Sequence, residues 1–282
     1  MGYPQAMRIE FTKMHALGND FAVFDAPAGQ ASLECAELAR LADRHTGIGF
    51  DQALVLEPPR RAETAVFYRI FNADGREVEQ CGNGARCIAA LLAARGAARA
   101  GALTLDSPAG LIEARVHPGG GVSVNMGPVR FDPAALPFEA PAEADRYRLE
   151  VAGETVQIGA VSIGNPHAVH AVECVDAAPV AHLGPAIERH RRFPQRVNVG
   201  FVQVLDRTHI RLRVYERGVG ETLACGTGAC AAVAVARRWG LLDSEVSVSA
   251  RGGELGVRWG GPGEPIWLTG PAQIAFRGHF DR

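Results

Sequence analysis

Three stretches of the chain carry helical periodicity: Glu34 to Arg44, Ala85 to Arg95 and Ala229 to Trp239. The last two are rich in alanine and almost wholly apolar, so they have no polar face to give to solvent. Short alternating or apolar runs bounded by Gly, Pro and Asp predict strands at Phe21 to Phe24, Ala65 to Phe71, Gly110 to Val116, Val122 to Asn125, His209 to Tyr215 and Ile266 to Thr269. His117-Pro-Gly-Gly-Gly predicts a hairpin turn. His182 to Arg192 reads as a solvated basic helix. A helix that is apolar all round hides its faces only if something wraps it. Each Ala-rich helix is therefore expected at the centre of its own strongly curved, mainly antiparallel sheet, an α+β arrangement of two similar domains.

The two halves are related by sequence as well as by pattern. Shifting the chain by 144 residues, the interval from Cys81 to Cys225, aligns Tyr68 to Gly96 with Leu212 to Gly240 without a gap. Arg69 then matches Arg213, Glu77 matches Glu221, Gly84 matches Gly228, Ala90 matches Ala234 and Gly96 matches Gly240. A length of 282 residues accommodates two domains of ordinary size. The Pro-rich stretch from Gly127 to Pro141 is the natural connection, which gives halves at 1–127 and 128–270, with 271–282 expected to complete the first.

Composition narrows the class. Apolar residues make up 47% and charged residues 21%, as in a globular protein, and the formal charge of −2 supplies no basic field for nucleic acid. Small neutral or zwitterionic partners fit better. No run of about 18 apolar residues is present and the amino terminus lacks a secretory pattern, so a cytoplasmic location without membrane contact is expected. Met1 to Ala6 precedes the first strand pattern and is given no function.

Six cysteines, at 35, 81, 87, 174, 225 and 230, are expected as free thiols in a reducing compartment. The spacings of Cys81 with Cys87 and of Cys225 with Cys230 do not match a structural zinc site, and no metal is expected. Cys35, Cys87, Cys174 and Cys230 lie in apolar or helical contexts and read as core thiols. Cys81 and Cys225 differ: each is followed by Gly-x-Gly and then an apolar helix. Glycines let backbone approach a ligand, and a helix start offers unpaired N–H groups that favour an anion and lower a nearby thiol pKa. One such turn alone is more simply a tight strand-to-helix connection. Two equivalent copies point to thiol chemistry from two sides, although duplication of a structural turn gives the same pattern. Neither turn has the Lys-Ser/Thr ending of a phosphate loop.

The segments Lys13-Met-His-Ala-Leu-Gly-Asn-Asp-Phe21, Phe71-Asn-Ala-Asp-Gly75, Cys81-Gly-Asn-Gly-Ala-Arg-Cys87, Gly164-Asn-Pro-His167 and Glu216 to Cys230 resemble the diaminopimelate epimerase family, over about Met7 to Phe280. The resemblance implies two homologous domains with the active site in the cleft between them. It implies interconversion of LL- and meso-diaminopimelate, an isomerase step of lysine and peptidoglycan precursor synthesis, without pyridoxal phosphate, metal or other cofactor. It also implies a homodimer.

Carried over by position, the resemblance makes Cys81 and Cys225 the two acid/base cysteines, and puts Asn19, Gln52, Asn72, Gly82, Asn83, Asn165, Asn198, Glu216, Arg217, Gly226 and Thr227 against the substrate. His167 and Glu216 would adjust the protonation of the cysteines. The repeat adds that Asn72 and Glu216 are 144 residues apart, and that Asn19 and Asn165 each follow a glycine. Three positions depart from the family's usual pattern: Gln80 replaces a common Met, Val219 a small residue, and Phe276 a Tyr whose place bears on dimer contacts. The alternatives are a proline or hydroxyproline racemase of the same fold, in which position 83 would typically be His, a thiol redox protein, and a non-catalytic amino-acid binder.

Overall fold

The computed structural model describes residues 8–26, 33–78, 81–98 and 101–282. The Met1 to Ala6 extension and Gln80 lie outside the described residues. The chain divides into two compact units, Met1–Val124 with Pro271–Arg282, and Asn125–Gly270.

In the first unit, β1 (Arg8–Ala16) and β2 (Asn19–Asp25) form a hairpin, and α1 (Cys35–Ala42) leads to β3 (Gln52–Glu57), which lies parallel to β2. β4 (Val66–Asn72) returns antiparallel to β3 and pairs with the two-residue β5 (Glu77–Val78). Then come α2 (Gly82–Ala94), β6 (Ala102–Ser107) parallel to β4, and the antiparallel β7 (Gly110–Val116) and β8 (Gly121–Pro128). The β7–β8 turn closes through the His117 N–H on the Gly121 carbonyl, at the expected hairpin.

The second unit repeats this order. β9 (Tyr147–Val151) precedes the antiparallel pair β10 (Glu154–Ser162) and β11 (Pro166–Ala171); α3 (Val180–Glu188) leads to β12 (Asn198–Asp206), parallel to β11. β13 (His209–Glu216) and β14 (Gly220–Thr222) follow, then α4 (Gly226–Arg238), β15 (Glu245–Ala250) parallel to β13, β16 (Gly253–Trp259) and β17 (Pro265–Pro271). β18 (Gln273–Asp281) belongs to the first unit, where it pairs antiparallel with β1 from Arg8↔Asp281 to His15↔Gln273. It takes beside β1 the place that β9 takes beside β10.

Wrapping of the apolar helices is realised in each unit by itself. α2 packs against β1, β2, β6, β7 and β18, and α4 against β10, β11, β12, β13 and β16. Ala229 to Ala236 are all buried to 1% exposure or less, which is why no polar face was needed. Each fully buried Val, Leu or Ile here contributes about 1.5–3 kcal/mol. Small residues set the approach: a Cβ at Gly159 on β10 would lie 2.3 Å from Val235 Cγ1, so only glycine lets that strand lie so close to α4. The sheets' other faces carry α1, over Phe24, Phe50 and Phe71, and α3, over Phe138, Phe193 and Phe201.

Two expectations are corrected. Helix α3 ends at Glu188, before most of the basic run, and buries Val180, Leu183 and Ile187. Apolar spacing at i, i+3 and i+7 decided the packing, and Arg192 lies beyond the helix with its guanidinium over the Phe138 ring. Cys35 and Cys174 are exposed rather than core thiols, because one opens α1 on its outer side and the other sits in the loop after β11; Cys87 and Cys230 are buried.

The repeat-matched Arg69/Glu77 and Arg213/Glu221 are structural. Each arginine forks onto its glutamate, at 2.8 and 2.7 Å in the first unit and 2.7 and 3.0 Å in the second. The forks tie β4 to β5 and β13 to β14, the strands that lead into each cysteine turn.

Candidate active site

In both units a cysteine is the N-cap residue of the apolar helix, with extended backbone: φ −145°, ψ 111° at Cys81 and φ −123°, ψ 117° at Cys225. Their carbonyls accept the first helical bonds, from Ala85 and Ala229, each at 2.9 Å. The second glycine of each turn lies inside the helix rather than at a positive φ. A Cβ at Gly84 would sit 3.0 Å from Leu54 Cδ2, and one at Gly228 would sit 3.0 Å from Val214 Cγ2 and 3.3 Å from the Cys225 Sγ. These glycines leave room for the cysteine's own side chain.

The first half-site is assembled by β2, β3, β4 and the start of α2. Leu17 and Gly18, at φ 55° and 88°, make the tight β1–β2 turn, and Asn19 opens β2 directly after it. Its Oδ1 accepts from Asn83 Nδ2 at 3.1 Å and faces Cys81 Sγ at 3.9 Å, while Nδ2 donates to Asp51 Oδ2 at 3.1 Å. Asn83 Oδ1 in turn accepts from Arg86 Nη2 at 2.5 Å. Cys81, partly exposed, accepts the Gly84 N–H at 3.4 Å. Gln52 and Asn72 face each other across β3 and β4, with Gln52 Nε2 donating to Asn72 Oδ1 at 2.9 Å. The buried Gln52 Oε1 has no hydrogen-bond partner among the described residues.

The second half-site uses the equivalent elements with different chemistry. His167 lies beside Asn198 in the parallel β11–β12 pair, as Phe21 lies beside Gln52 in β2–β3. Asn165 joins His167, through Oδ1 to Nε2 at 3.0 Å, to Thr227, through Nδ2 to Oγ1 at 3.4 Å. Asn198 Oδ1 accepts the Arg217 N–H at 2.9 Å and its Nδ2 donates to the Pro166 carbonyl at 3.3 Å. Glu216 accepts Thr222 Oγ1 at 2.5 Å and is hydrogen-bonded to Cys225, whose sulfur also lies 3.5 Å from Thr227 Oγ1. The exposed Arg217 reaches the Gln195 carbonyl at 3.2 Å.

Burial dominates the electrostatics of the second half-site. Burial, then the Glu216 charge, push Cys225 well above the usual thiol range, so the acidifying helix start expected from the sequence is outweighed there. Burial raises Glu216 as well, against the opposing bonds from Thr222 and Cys225. Burial, with the Arg217 charge, pushes His167 down to about 3, so its ring is neutral at ordinary pH.

Every site residue taken from the sequence thus falls into one of two clusters, one in each unit. The first gathers Asn19, Gln52, Asn72, Cys81, Gly82 and Asn83, and the second gathers Asn165, His167, Asn198, Glu216, Arg217, Cys225, Gly226 and Thr227. Sequence reasoning passed over Asp51, Thr222 and Arg86, which bind Asn19, Glu216 and Asn83. Arg86 carried a signal, being a charge in an otherwise apolar helix. The Val219 side chain is exposed at the β13–β14 turn, where its N–H donates to the Glu216 carbonyl at 3.1 Å, and half-exposed Phe276 packs edge-on to Phe11. No three His, Cys, Asp or Glu side chains among the described residues gather into a metal-binding group.

Solved structures share this architecture at low identity. A hydroxyproline epimerase from Agrobacterium vitis matches with a TM-score of 0.67 and 16% identity, over 100% of this chain and 94% of the other. A phenazine biosynthesis protein from Bacillus anthracis matches with a TM-score of 0.66 and 18% identity, over 97% and 99%. Sequence relatives are much nearer. The diaminopimelate epimerase of Nitrosomonas europaea is 55% identical over 276 residues, 98% of this chain and 100% of that one. That of Stutzerimonas stutzeri is 52% identical over 272 residues, 96% of this chain and 99% of the relative. The diaminopimelate epimerase family model matches residues 11–131 and 159–275. With its fold and near full-length identity to these enzymes, the chain belongs to the diaminopimelate epimerase family.

Proposed function

We propose that the protein interconverts LL- and meso-2,6-diaminopimelate without a cofactor, with Cys81 and Cys225 as the two acid/base groups. One sulfur, as thiolate, removes the α-proton and becomes a thiol. The other, as thiol, gives its proton to the opposite face of the same carbon, and inversion follows. This reading requires both thiols to reach one α-carbon. The observation that carries it is the matched pair of cysteine N-caps, each starting a helix whose first N–H groups, at Gly82-Asn83 and Gly226-Thr227, suit a carboxylate that gathers charge as the proton leaves.

The surrounding groups fit a zwitterion with two ammonium and two carboxylate ends. Gln52 Oε1, buried and without a partner among the described residues, is an acceptor for ammonium, together with Asn19, Asn72, Asn165 and Asn198. Arg217 suits a carboxylate. Glu216, hydrogen-bonded to Cys225, and His167, bonded to Asn165, are the groups that would adjust the protonation of the second thiol. The reaction belongs to lysine and peptidoglycan precursor synthesis in the cytoplasm. No described helix is long and apolar enough to cross a membrane. A homodimer is part of the same reading, and the exposed Ile274 and Phe276 on β18 are the apolar residues offered to it. Sedimentation of the wild type and of Phe276→Lys tests that part.

Incubation in deuterated water with LL-diaminopimelate, and separately with proline, tests the activity. The expected result is solvent deuterium at an α-carbon of diaminopimelate, with meso product, and none in proline. Exchange into proline alone would replace this reading with a proline racemase.

A further inference from the structure

An asparagine amide accepts at one end and donates at the other, and its shape does not choose between them. In the first half-site charged groups choose. Arg86, buried to 0% exposure on α2, can only donate, and its contact with Asn83 Oδ1 turns Asn83 Nδ2 toward Asn19. At the other end an Asp51 oxygen accepts, and it takes Asn19 Nδ2. The bonds therefore run one way, from Arg86 through Asn83 and Asn19 to Asp51. The amide oxygen of Asn19 is left facing Cys81.

We infer that Asp51 is a positioning residue which fixes the polarity of the Asn19 amide at Cys81, with Arg86 holding the other end of the same chain of hydrogen bonds. Asp51 is itself held. Arg44 Nη2 bonds its Oδ1 at 2.8 Å, the Asp20 N–H bonds its Oδ2 at 3.1 Å, and its own N–H bonds Asp20 Oδ1 at 3.0 Å. Arg44 also forks onto Asp20 at 3.0 and 2.7 Å, and Lys13 Nζ reaches the same carboxylate at 2.6 Å. Against the upward push of burial, these cations hold Asp20 well below the usual carboxylate range, so Asp20 stays charged beside Asp51.

Among the described residues the second half-site has no such clamp. Asn165 faces His167 and Thr227, each able to donate or accept, so its polarity follows their protons. In the first half-site the polarity is permanent. A fixed acceptor favours the S–H form of Cys81 over the thiolate, offsetting the Gly84 N–H, which favours the thiolate, while the buried Arg86 charge lowers the neighbouring Cys87. Tyr68 on β4 and Cys87 on α2 also bear on this sulfur; both are pushed up by burial, Cys87 to about 12, and stay neutral.

The role rests on Cys81 being a proton-carrying thiol, but its test reads the thiol directly and needs no substrate. Iodoacetamide labelling of Cys81 is followed from pH 6 to 10 by peptide-resolved mass spectrometry, with exposed Cys174 as internal standard. In Asp51→Ala the Asn19 amide loses its fixed acceptor and is held by Asn83 alone, so the turned amide gains population, the Cys81 midpoint moves to lower pH and labelling at pH 7 rises about threefold against its plateau. Asp51→Asn deletes the charge but keeps an oxygen for Asn19, and restores the midpoint toward wild type. Circular dichroism confirms folding, and Asp51→Ser serves if the alanine variant does not fold. An unchanged midpoint in Asp51→Ala overturns the inference. Equal shifts in the alanine and asparagine variants overturn it too, since through-space charge would then be the cause.

Discussion

The Glu216 carboxyl is hydrogen-bonded to the Cys225 thiol, and burial raises the proton affinity of both. The Glu216 charge adds to the rise at Cys225, so an ionised Glu216 keeps its neighbour a thiol. Thr222 Oγ1 holds the carboxyl at 2.5 Å. The first unit offers Asn72 in the same place, which cannot carry a proton. The duplicated frame therefore holds two thiols under different control.

Glu216→Gln keeps the size and hydrogen bonding of the side chain and removes its charge. Cys225 becomes more acidic, and its alkylation midpoint moves to lower pH. Epimerisation falls about 100-fold, the loss expected for one proton-transfer group. Labelling and turnover measured on the same variant check both.

The same pair sets a pH dependence of stability. Glu216 has a raised folded pKa, so its favourable linkage is present at pH below the ordinary carboxylate value of 4.5 and is lost as pH rises through the folded value. Glu216→Gln escapes that loss. It should melt higher than wild type at pH 8, and the gap should close below pH 4.5.

His167 runs the other way. Its pKa is depressed from 6.5 to about 3, chiefly by burial, so its contribution is complete above pH 6.5 and declines as pH falls toward 3. Wild type should lose about 1 kcal/mol per pH unit across that window from this group. His167→Gln should lack that part of the acid slope, as read from urea unfolding between pH 4 and 7. An acid slope identical to wild type would show that His167 is not its source.

Gly228→Ala puts a methyl 3.3 Å from the Cys225 sulfur and 3.0 Å from Val214, whereas Gly84→Ala comes nearest to Cys81 at its Cβ, 3.6 Å away. Each crowding costs about 1–3 kcal/mol of stability. Turnover should fall further in Gly228→Ala, about tenfold, because the reacting atom itself must move. Melting curves and kcat for the two variants give the comparison.

The apolar helices, the strands around them and the cysteine turns were legible in the sequence because each has a local period or a duplicated motif. Networks joining distant positions were not. Asn19 meets Asp51 across 32 residues, through side-chain geometry that leaves no spacing to read, whereas Asn83 and Arg86 are an i, i+3 pair on α2 that the spacing does offer. The equivalence of Phe21 with His167 was hidden as well. Asn19 and Asn165, like Gln52 and Asn198, are 146 residues apart, whereas the cysteines are 144 apart, so the ungapped alignment breaks in the connection between β3 and β4. The basic residues after His182 drew attention from the apolar spacing beneath them, which decided how α3 packs.

On the proposed mechanism two cysteines, one from each repeat, share one proton transfer from opposite faces. Its most direct test is the epimerisation of LL-diaminopimelate in deuterated water by Cys81→Ala and by Cys225→Ala, each first shown to be folded. Each variant should form no meso product, since neither remaining thiol serves both faces of the carbon. Wild-type turnover in either single variant would contradict the claim.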